Sequence, residues 1–200
     1  MRNLLSTKDQ RQLRLMETLI QTRNWIRLHA LAEKLGCTER ILKNDLNELR
    51  TAFPNIDIQS SVNGIMIDLD VNTSVEDIYQ YFLAHSQSFQ LLEYMFFNEG
   101  LPIYRTIENL HSSSANLYRL GRNITRTLSS QFQIELSFTP TAILGNETDI
   151  RYFFAQYFSE RYYFLDWPFP DLPEEDLTEF ADFFYKITNY PMRFSIYRMY

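Results

Sequence analysis

The stretch TERILKNDLNELR, residues 38–50, decides which fold the sequence indicates. Apolar residues recur along it at helical spacing, and Thr38 can cap the start of the helix, whereas Pro54 prevents its continuation. Polar side chains occupy the opposite face as one stripe: Arg40, Lys43, Asn44, Asn47 and, one turn further, Arg50. Arg and Asn side chains can pair bidentately with guanine and adenine edges in the major groove. The stripe therefore predicts a DNA recognition helix.

Two further helices are expected before this stretch. Apolar residues at helical spacing follow Ser6, which can cap a helix that runs to about Thr22. A second helix is expected to begin at Trp25 and Ile26. Gly36 can end it, because glycine adopts the left-handed conformation at little cost. The order of helix, helix, tight turn and helix is that of a helix-turn-helix motif.

A β-hairpin is expected after the third helix. Beyond Pro54 the apolar residues alternate with polar ones, and Val62-Asn63-Gly64 interrupts the alternation. An Asn-Gly pair between alternating apolar residues predicts a type I′ turn, in which both central residues have positive φ. Three helices followed by a hairpin form a winged helix-turn-helix, whose wing can touch the DNA backbone. Asn63 is the wing residue that we expect at that contact.

The same pattern returns 75 residues later. An offset of 75 places Leu42 on Leu117 and the cap Thr38 on Ser113. The second helix of this kind, capped by Ser113, carries its own polar stripe of Arg119, Arg122, Asn123 and Arg126. Ser113 and Asn116, at the start of this helix, are further residues expected to contact DNA. Residues 115–131 contain no Asp or Glu, so these arginines have no partner within their own helix and are available to phosphates or bases.

The remaining sequence completes a second module and begins a third part. Alternating apolar residues on both sides of Thr139-Pro140 predict a second wing, and Glu147 opens an aromatic helix expected to be buried between modules or in a subunit contact. We predict a mainly α fold with small β wings for the whole chain.

The predicted fold consists of tandem winged helix-turn-helix modules over residues 1–70 and 71–165. A connector and the start of a helical regulatory domain follow over residues 166–200. Apolar residues up to Tyr200 predict that the rest of that domain is absent from this chain.

Composition argues against several classes of function. Cys37 is the single cysteine and the three histidines are far apart, so neither a disulfide framework nor a zinc site is expected. The sequence has no glycine-rich phosphate loop and no nucleophile elbow, and we expect no catalytic residues, no metal and no cofactor. No apolar run approaches the roughly 18 residues that span a bilayer, which predicts a cytoplasmic protein without membrane association.

The net charge of −6 is unevenly distributed along the chain. Residues 1–70 contain ten Lys and Arg against nine Asp and Glu, whereas residues 131–200 contain five against eleven. Phosphate neutralisation acts locally, within a Debye length of about 8–10 Å. The acidic C-terminal part therefore does not exclude DNA binding by the two stripes.

Five segments follow one another in a characteristic order: residues 31–40 (LAEKLGCTER), Asn63-Gly64-Ile65, residues 113–119 (SSANLYR), residues 144–153 (LGNETDIRYF) and Asp166-Trp167-Pro168-Phe169. In this order and at these spacings they resemble the Mga family of regulators from Gram-positive bacteria. The resemblance implies a global regulator of virulence and carbohydrate-metabolism genes, with two DNA-binding modules followed by regulatory domains linked to the sugar phosphotransferase system. It also implies that recognition depends on DNA shape and that Thr38 to Arg50 and Ser113 to Arg126 are the recognition segments.

The chain departs from the family in its length, since family members are much longer. None of His29, His85 and His111 lies in the regulatory part, so no phosphorylation site can be transferred to this chain.

Two alternatives to DNA binding follow from the same residues. The amphipathic helices could pack against another domain, with the arginines of the second stripe forming salt bridges to the acidic C-terminal part, or the winged helices could bind a protein partner. The partners that we expect are double-stranded DNA, a second copy of the chain in a homodimer or higher oligomer, and phosphotransferase-system proteins through domains absent from this chain.

Overall fold

The computed structural model describes residues 1–68, 74–162 and 167–188, without the side chains of Thr178 and Ala181. The chain divides into two compact units, Met1–Gly145 and Asn146–Tyr200. The module boundary expected between residues 70 and 71, the position of Asp166 and the apolar residues expected over 189–200 lie outside the described part. The three domain ranges given above stay predictions.

The first module contains three helices and a hairpin, as predicted. Its elements are a 3₁₀ turn (Arg2–Leu4), α1 (Thr7–Thr22), α2 (Leu28–Lys34), α3 (Glu39–Ala52), β1 (Asp57–Ser61) and β2 (Gly64–Asp68). Ser6 and Thr38 cap α1 and α3, each by accepting a hydrogen bond from a backbone N–H three residues on. Leu42, Leu46 and Leu49 of α3 are buried, and burial of each contributes about 2 kcal/mol.

The sequence predicts that the second helix begins at Trp25 and Ile26, and this prediction is wrong. α1 ends at Thr22, its cap residue Arg23 adopts the left-handed conformation, and Ile26 then pairs with Ile65 in antiparallel fashion. The N–H of each residue donates to the C=O of the other at 2.9 Å. This pairing satisfies backbone groups that a helix would otherwise satisfy. α2 therefore begins only at Leu28.

The turn of the first wing also differs from the prediction. Ser61 pairs with Gly64, so Val62 and Asn63 form the two-residue loop and Gly64 is already the first residue of β2. The positive φ falls on Gly64, at 126°, and not on Asn63. A glycine is required at position 64 because the backbone of Ile26 and Arg27 lies close to it, and a Cβ at Gly64 would overlap the Ile26 carbonyl. Gly64 is needed for this close approach and not for a type I′ turn.

A polar cluster ties α3 to α1 inside the first module. Asp45 is 2% exposed, and its carboxylate accepts hydrogen bonds from Arg11 Nε at 2.6 Å and Arg11 Nη2 at 3.1 Å. Gln12 Nε2 donates to Asp45 at 3.1 Å and to Glu48 at 2.7 Å. A buried carboxylate is tolerated when its oxygens are paired in this way. The cluster fixes the angle at which α3 presents its other face.

The second module repeats the first with an added helix. Its elements are α4 (Val75–His85), α5 (Gln87–Phe97), α6 (Ile103–Asn109), α7 (Ser114–Ser129), β3 (Glu135–Phe138) and β4 (Thr141–Leu144). The offset of 75 residues places α2 on α6 residue for residue, and α3 and α7 begin at equivalent positions. The predicted wing at Thr139 and Pro140 is confirmed, since these two residues connect β3 and β4.

The repeat also extends to the backbone conformation at positions where the two modules have different residues. Gly36 and His111 occupy equivalent positions, and both have positive φ, 64° and 45°. Leu101, the equivalent of Ile26, accepts a hydrogen bond from Thr141 N at 3.2 Å. Each module thus places a short extended segment beside its wing.

The second unit contains two described helices. α8 (Glu147–Arg161) begins after the Asn146 cap, and α9 (Glu174–Thr188) has three acidic residues in its first turn. The prediction that the aromatic residues of α8 are buried is confirmed for four of them: Phe153, Phe154, Tyr157 and Phe158. Phe158 packs on Phe169 with the ring centroids 4.8 Å apart, so the segment after the helix folds back on it.

Gly64→Ala is expected to destabilise the first module more than Gly36→Ala does. Both glycines have positive φ, but a Cβ at Gly36 meets no atom within 4 Å. Strain alone should make Gly36→Ala cost about 1–2 kcal/mol. Gly64→Ala should cost at least about 2 kcal/mol more, because Ile26 must also separate from the wing. Urea denaturation followed by circular dichroism measures both variants, and equal losses would contradict the pairing of Ile26 with the wing.

Asp45→Ala is expected to lower the free energy of unfolding by about 2–4 kcal/mol, because it removes the acceptor of Arg11 and Gln12. Asp68→Ala is the matched control, since Asp68 is exposed. The control should change the unfolding free energy by less than about 0.5 kcal/mol. An Asp45 variant as stable as the control would show that the cluster does not hold α1 and α3 together.

Candidate nucleic-acid interface

The exposed face of α3 carries the predicted stripe. Arg40, Lys43 and Asn44 are exposed, and within the described residues their side chains have no polar partner in the chain. Asn47 is exposed and accepts a hydrogen bond from Arg50 Nη1 at 3.2 Å. Thr38 serves as the helix cap, its hydroxyl accepting from Ile41 N at 3.3 Å. The first half of α3 therefore presents two cations and an amide to solvent.

Two of the three acidic residues of α3 face away from this stripe. Asp45 is held by Arg11, and Glu48 Oε2 lies 2.6 Å from Lys8 Nζ of α1. Hydrogen bonds from Lys8 and Gln12 lower the pKa of Glu48, and the hydrogen bond to Asp45 raises the pKa of Arg11. Glu39, in the first turn, is exposed and has no cation partner among the described residues. Because Arg11 and Lys8 of α1 pair with Asp45 and Glu48, the cations of the stripe dominate the electrostatic potential at the outer face of α3.

Arg50 holds the wing and does not extend into solvent. Its Nε donates to Ile58 O at 3.0 Å and its Nη2 donates to Ser60 Oγ. The equivalent residue in the second module, Thr125, accepts from Leu136 N at 3.0 Å through its hydroxyl. The same helical position therefore fixes the first wing strand in both modules, by different chemistry. Sequence reasoning missed this role, although the offset of 75 residues pairs the two positions.

The tip of the first wing is exposed and uncharged. Val62 and Asn63 form it, and Asn63 N donates to Ser61 Oγ at 3.1 Å. Neither β1 nor β2 contains a Lys or Arg. The Asn63 amide is thus the group at this tip that could donate a hydrogen bond to a phosphate.

The stripe on α7 is exposed mainly in its second half. Ser113 caps the helix, accepting from Asn116 N at 3.2 Å. Asn116 is half-buried: its amide nitrogen donates to Ser112 Oγ at 2.9 Å, and its oxygen accepts from Arg119 Nη2 at 2.6 Å. Arg122, Asn123 and Arg126 are exposed, and their side chains have no polar partner within residues 1–68 and 74–145. α7 therefore offers two unpaired arginines.

The wing of the second module packs directly on its recognition helix. Gly121 is buried because the Phe138 ring lies against it, and a Cβ there would overlap the ring. Tyr118 meets the same ring edge to face, with the centroids 5.1 Å apart. These contacts make β3 and α7 one rigid surface.

The N-terminal segment links the two modules. The 3₁₀ turn contacts α7, and Leu4 and Leu5 are buried. Arg2 pairs with Glu17 of α1, and its guanidinium lies 5.2 Å from the centre of the Tyr79 ring of α4. α1 also packs against α4. The two recognition helices are thus held in one compact unit.

The described residues contain neither a metal-binding cluster nor a membrane-spanning helix. No group of three or more His, Cys, Asp or Glu residues in residues 1–68, 74–162 and 167–188 is arranged to hold a metal ion. Over the same ranges, no helix combines the length and the apolarity needed to cross a bilayer.

Three family models match the chain in order. Residues 6–65 match the M protein trans-acting positive regulator (MGA) HTH domain, residues 71–158 the Mga helix-turn-helix domain, and residues 173–200 the M protein trans-acting positive regulator (MGA) PRD domain. These matches cover both modules and the residues after the connector. The resemblance seen in the sequence is confirmed.

Three curated relatives are also named as regulators. A protein of Streptococcus pneumoniae serotype 4 (strain ATCC BAA-334 / TIGR4) named "Putative trans-acting regulator" is 46% identical over 199 residues, which is 100% of this chain and 40% of the relative. Two proteins of Bacillus anthracis are each 22% identical. The capsule synthesis positive regulator AcpA aligns over 86% of this chain and 36% of its own length, and the anthrax toxin expression trans-acting positive regulator over 91% and 38%.

The chain spans about two fifths of the length of these relatives, and all three are named as regulators and not as enzymes. The matched models and the relatives together show that the chain belongs to the Mga family of trans-acting regulators.

Proposed function

We propose that residues 1–145 bind double-stranded DNA through α3 and α7 and that the chain thereby regulates transcription. One observation carries the proposal: each recognition helix exposes unpaired cations, and the inner acids of α3 are bound to α1. Winged helix-turn-helix modules place such a helix in the major groove. Exposed arginines and asparagines there can contact both phosphates and base edges.

The arrangement of the modules supports binding to one duplex. The 3₁₀ turn and the packing of α1 on α4 hold both recognition helices in the same unit. Binding through two linked helices adds their phosphate contacts at little further entropic cost. DNA shape can contribute to selectivity, since arginines respond to groove width.

Other aspects of the function are supported by the relatives. AcpA and the anthrax toxin regulator are named for capsule synthesis and toxin expression, which supports virulence genes as targets. Carbohydrate-metabolism genes remain targets predicted by the family resemblance. The PRD match at residues 173–200 supports control through phosphotransferase-system proteins. Bacterial duplex DNA lies in the cytoplasm, so the proposal places the chain there. A homodimer or higher oligomer stays a prediction.

A protein partner is the second candidate, favoured by the net charge of −6 and by the uncharged first wing. The two candidates differ in salt dependence. Release of counterions makes the logarithm of a DNA association constant fall linearly with the logarithm of salt concentration, with a slope of about −0.9 for each phosphate contacted. A contact between neutral protein surfaces has no such slope.

Lys43→Ala/Arg126→Ala, which removes one cation from each stripe, is expected to weaken binding to a promoter-length duplex. The association constant should fall about tenfold or more at low salt, and the salt slope should become about 2 units shallower. Fluorescence anisotropy at five or more salt concentrations measures both quantities.

The matched control is Arg14→Ala/Arg105→Ala, which also removes two exposed cations but from α1 and α6. It should change the association constant by less than about threefold. Wild-type binding without a salt slope, or a double variant that behaves like the control, would refute DNA binding by the stripes.

A further inference from the structure

The two recognition helices carry their unpaired cations at different ends. The offset of 75 residues places Arg40 on Ala115 and Lys43 on Tyr118, so α7 has no cation at either position. The first unpaired cation of α3 is Arg40, its second residue, and that of α7 is Arg122, its ninth. At 1.5 Å per residue, this difference of seven positions is about 10 Å along the helix axis.

The start of α7 has few donors to offer a base edge. Ala115 has none, and the Asn116 amide is occupied by Ser112 and Arg119. The Tyr118 ring packs against Phe138 of the second wing. Arg119 Nη2 donates to Asn116, so this guanidinium is directed back along the helix.

The second half of α3 shows the complementary pattern. Its cation there is Arg50, which is half-buried and donates to Ile58 O and Ser60 Oγ of the wing. α3 therefore offers its unpaired charge only in its first half, at Arg40 and Lys43, beside the exposed Asn44 amide.

We infer that the two modules divide the work of DNA recognition: α3 reads base edges through Arg40 and Asn44, and α7 holds phosphates through Arg122 and Arg126. The inference rests on the proposed function. In winged and related helix-turn-helix proteins the N-terminal residues of the recognition helix contact base edges, and the C-terminal end approaches the backbone. Base contacts carry sequence information, whereas phosphate contacts fix position and supply affinity. Sequence selectivity then depends on the first module and salt-dependent affinity chiefly on the second.

The test selects binding sites for the 200-residue chain from a library of 40-base-pair duplexes with a random centre. Wild type, Arg40→Ala/Asn44→Ala and Arg122→Ala/Arg126→Ala are compared, each checked by circular dichroism and denaturation midpoint. All four side chains are exposed, so the folds should be unchanged. The affinity of each variant is then measured, across salt concentrations, for the duplex enriched by wild type and for the unselected library.

Arg40→Ala/Asn44→Ala should lose the enriched bases within one segment of three to four base pairs. Its preference for the enriched duplex over the library should fall about tenfold or more, because a bidentate base contact provides about 1–3 kcal/mol of discrimination. Arg122→Ala/Arg126→Ala should enrich the same sequence as wild type. Its affinity should fall by a similar factor for both duplexes, with a salt slope shallower by about 2 units.

Conservative variants separate the roles of charge and shape. Arg122→Lys keeps a point charge and should retain most phosphate affinity, whereas Arg40→Lys loses the planar fork and should change the enriched sequence. The inference is overturned if Arg122→Ala/Arg126→Ala alters the enriched bases, if Arg40→Ala/Asn44→Ala leaves them unchanged, or if wild type binds with a salt slope but enriches no sequence. Wild-type binding without any salt slope would instead overturn the proposed function itself.

Discussion

The backbone pairing between a short extended segment and the wing is the constraint on which each module depends. Ile26 pairs with Ile65 in the first module, and Leu101 bonds to Thr141 in the second. The pairing brings the residues before the helix-turn-helix against the hairpin that follows it. It satisfies backbone groups on both partners, and in the first module it leaves room only for a glycine at position 64. The wing and the recognition helix can then be fixed to each other by Arg50 or Thr125.

The second organising feature is the separation of charges on α3, with two acids paired to α1 and two cations on the outer face. A helix with three acids and three cations would present a mixed surface if none of the acids were paired with another helix. Asp45 and Glu48 instead point toward α1, where Arg11, Gln12 and Lys8 bind them. Burial of Asp45 has a cost in desolvation, which its hydrogen bonds offset. Because these two acids are paired with α1, Arg40 and Lys43 remain on the outer face of α3 without a neighbouring acid from this pair, as the proposed contact with DNA requires.

The two modules share a backbone plan but differ in side-chain chemistry. Equivalent positions hold Arg50 and Thr125, Gly36 and His111, and Leu46 and Gly121. The last pair changes the packing, because the absence of a side chain at Gly121 allows Phe138 to lie on the helix. Tyr118 then covers that ring, which removes a position that carries Lys43 in the first module. Differences in core packing thus reach the outer face of the helix.

The sequence by itself determined the elements, the repeat and the family. Periodicity and caps located α1, α3, α7 and both wings, since helical spacing, capping hydroxyls and turn residues act within a few positions of each other. The stripes were also visible, because side chains at i, i+3, i+4 and i+7 must share a face. The tertiary structure decided the rest.

Three features could not be obtained from local spacing: the pairing of Ile26 with Ile65, the turn of Arg50 toward the wing and the engagement of Asn116 by Ser112 and Arg119. A polar residue on an outer stripe can point to solvent or bond to a neighbouring element. Which of these occurs depends on the backbone that folding brings within hydrogen-bond distance, often from far along the chain, and residue type and period contain no such information.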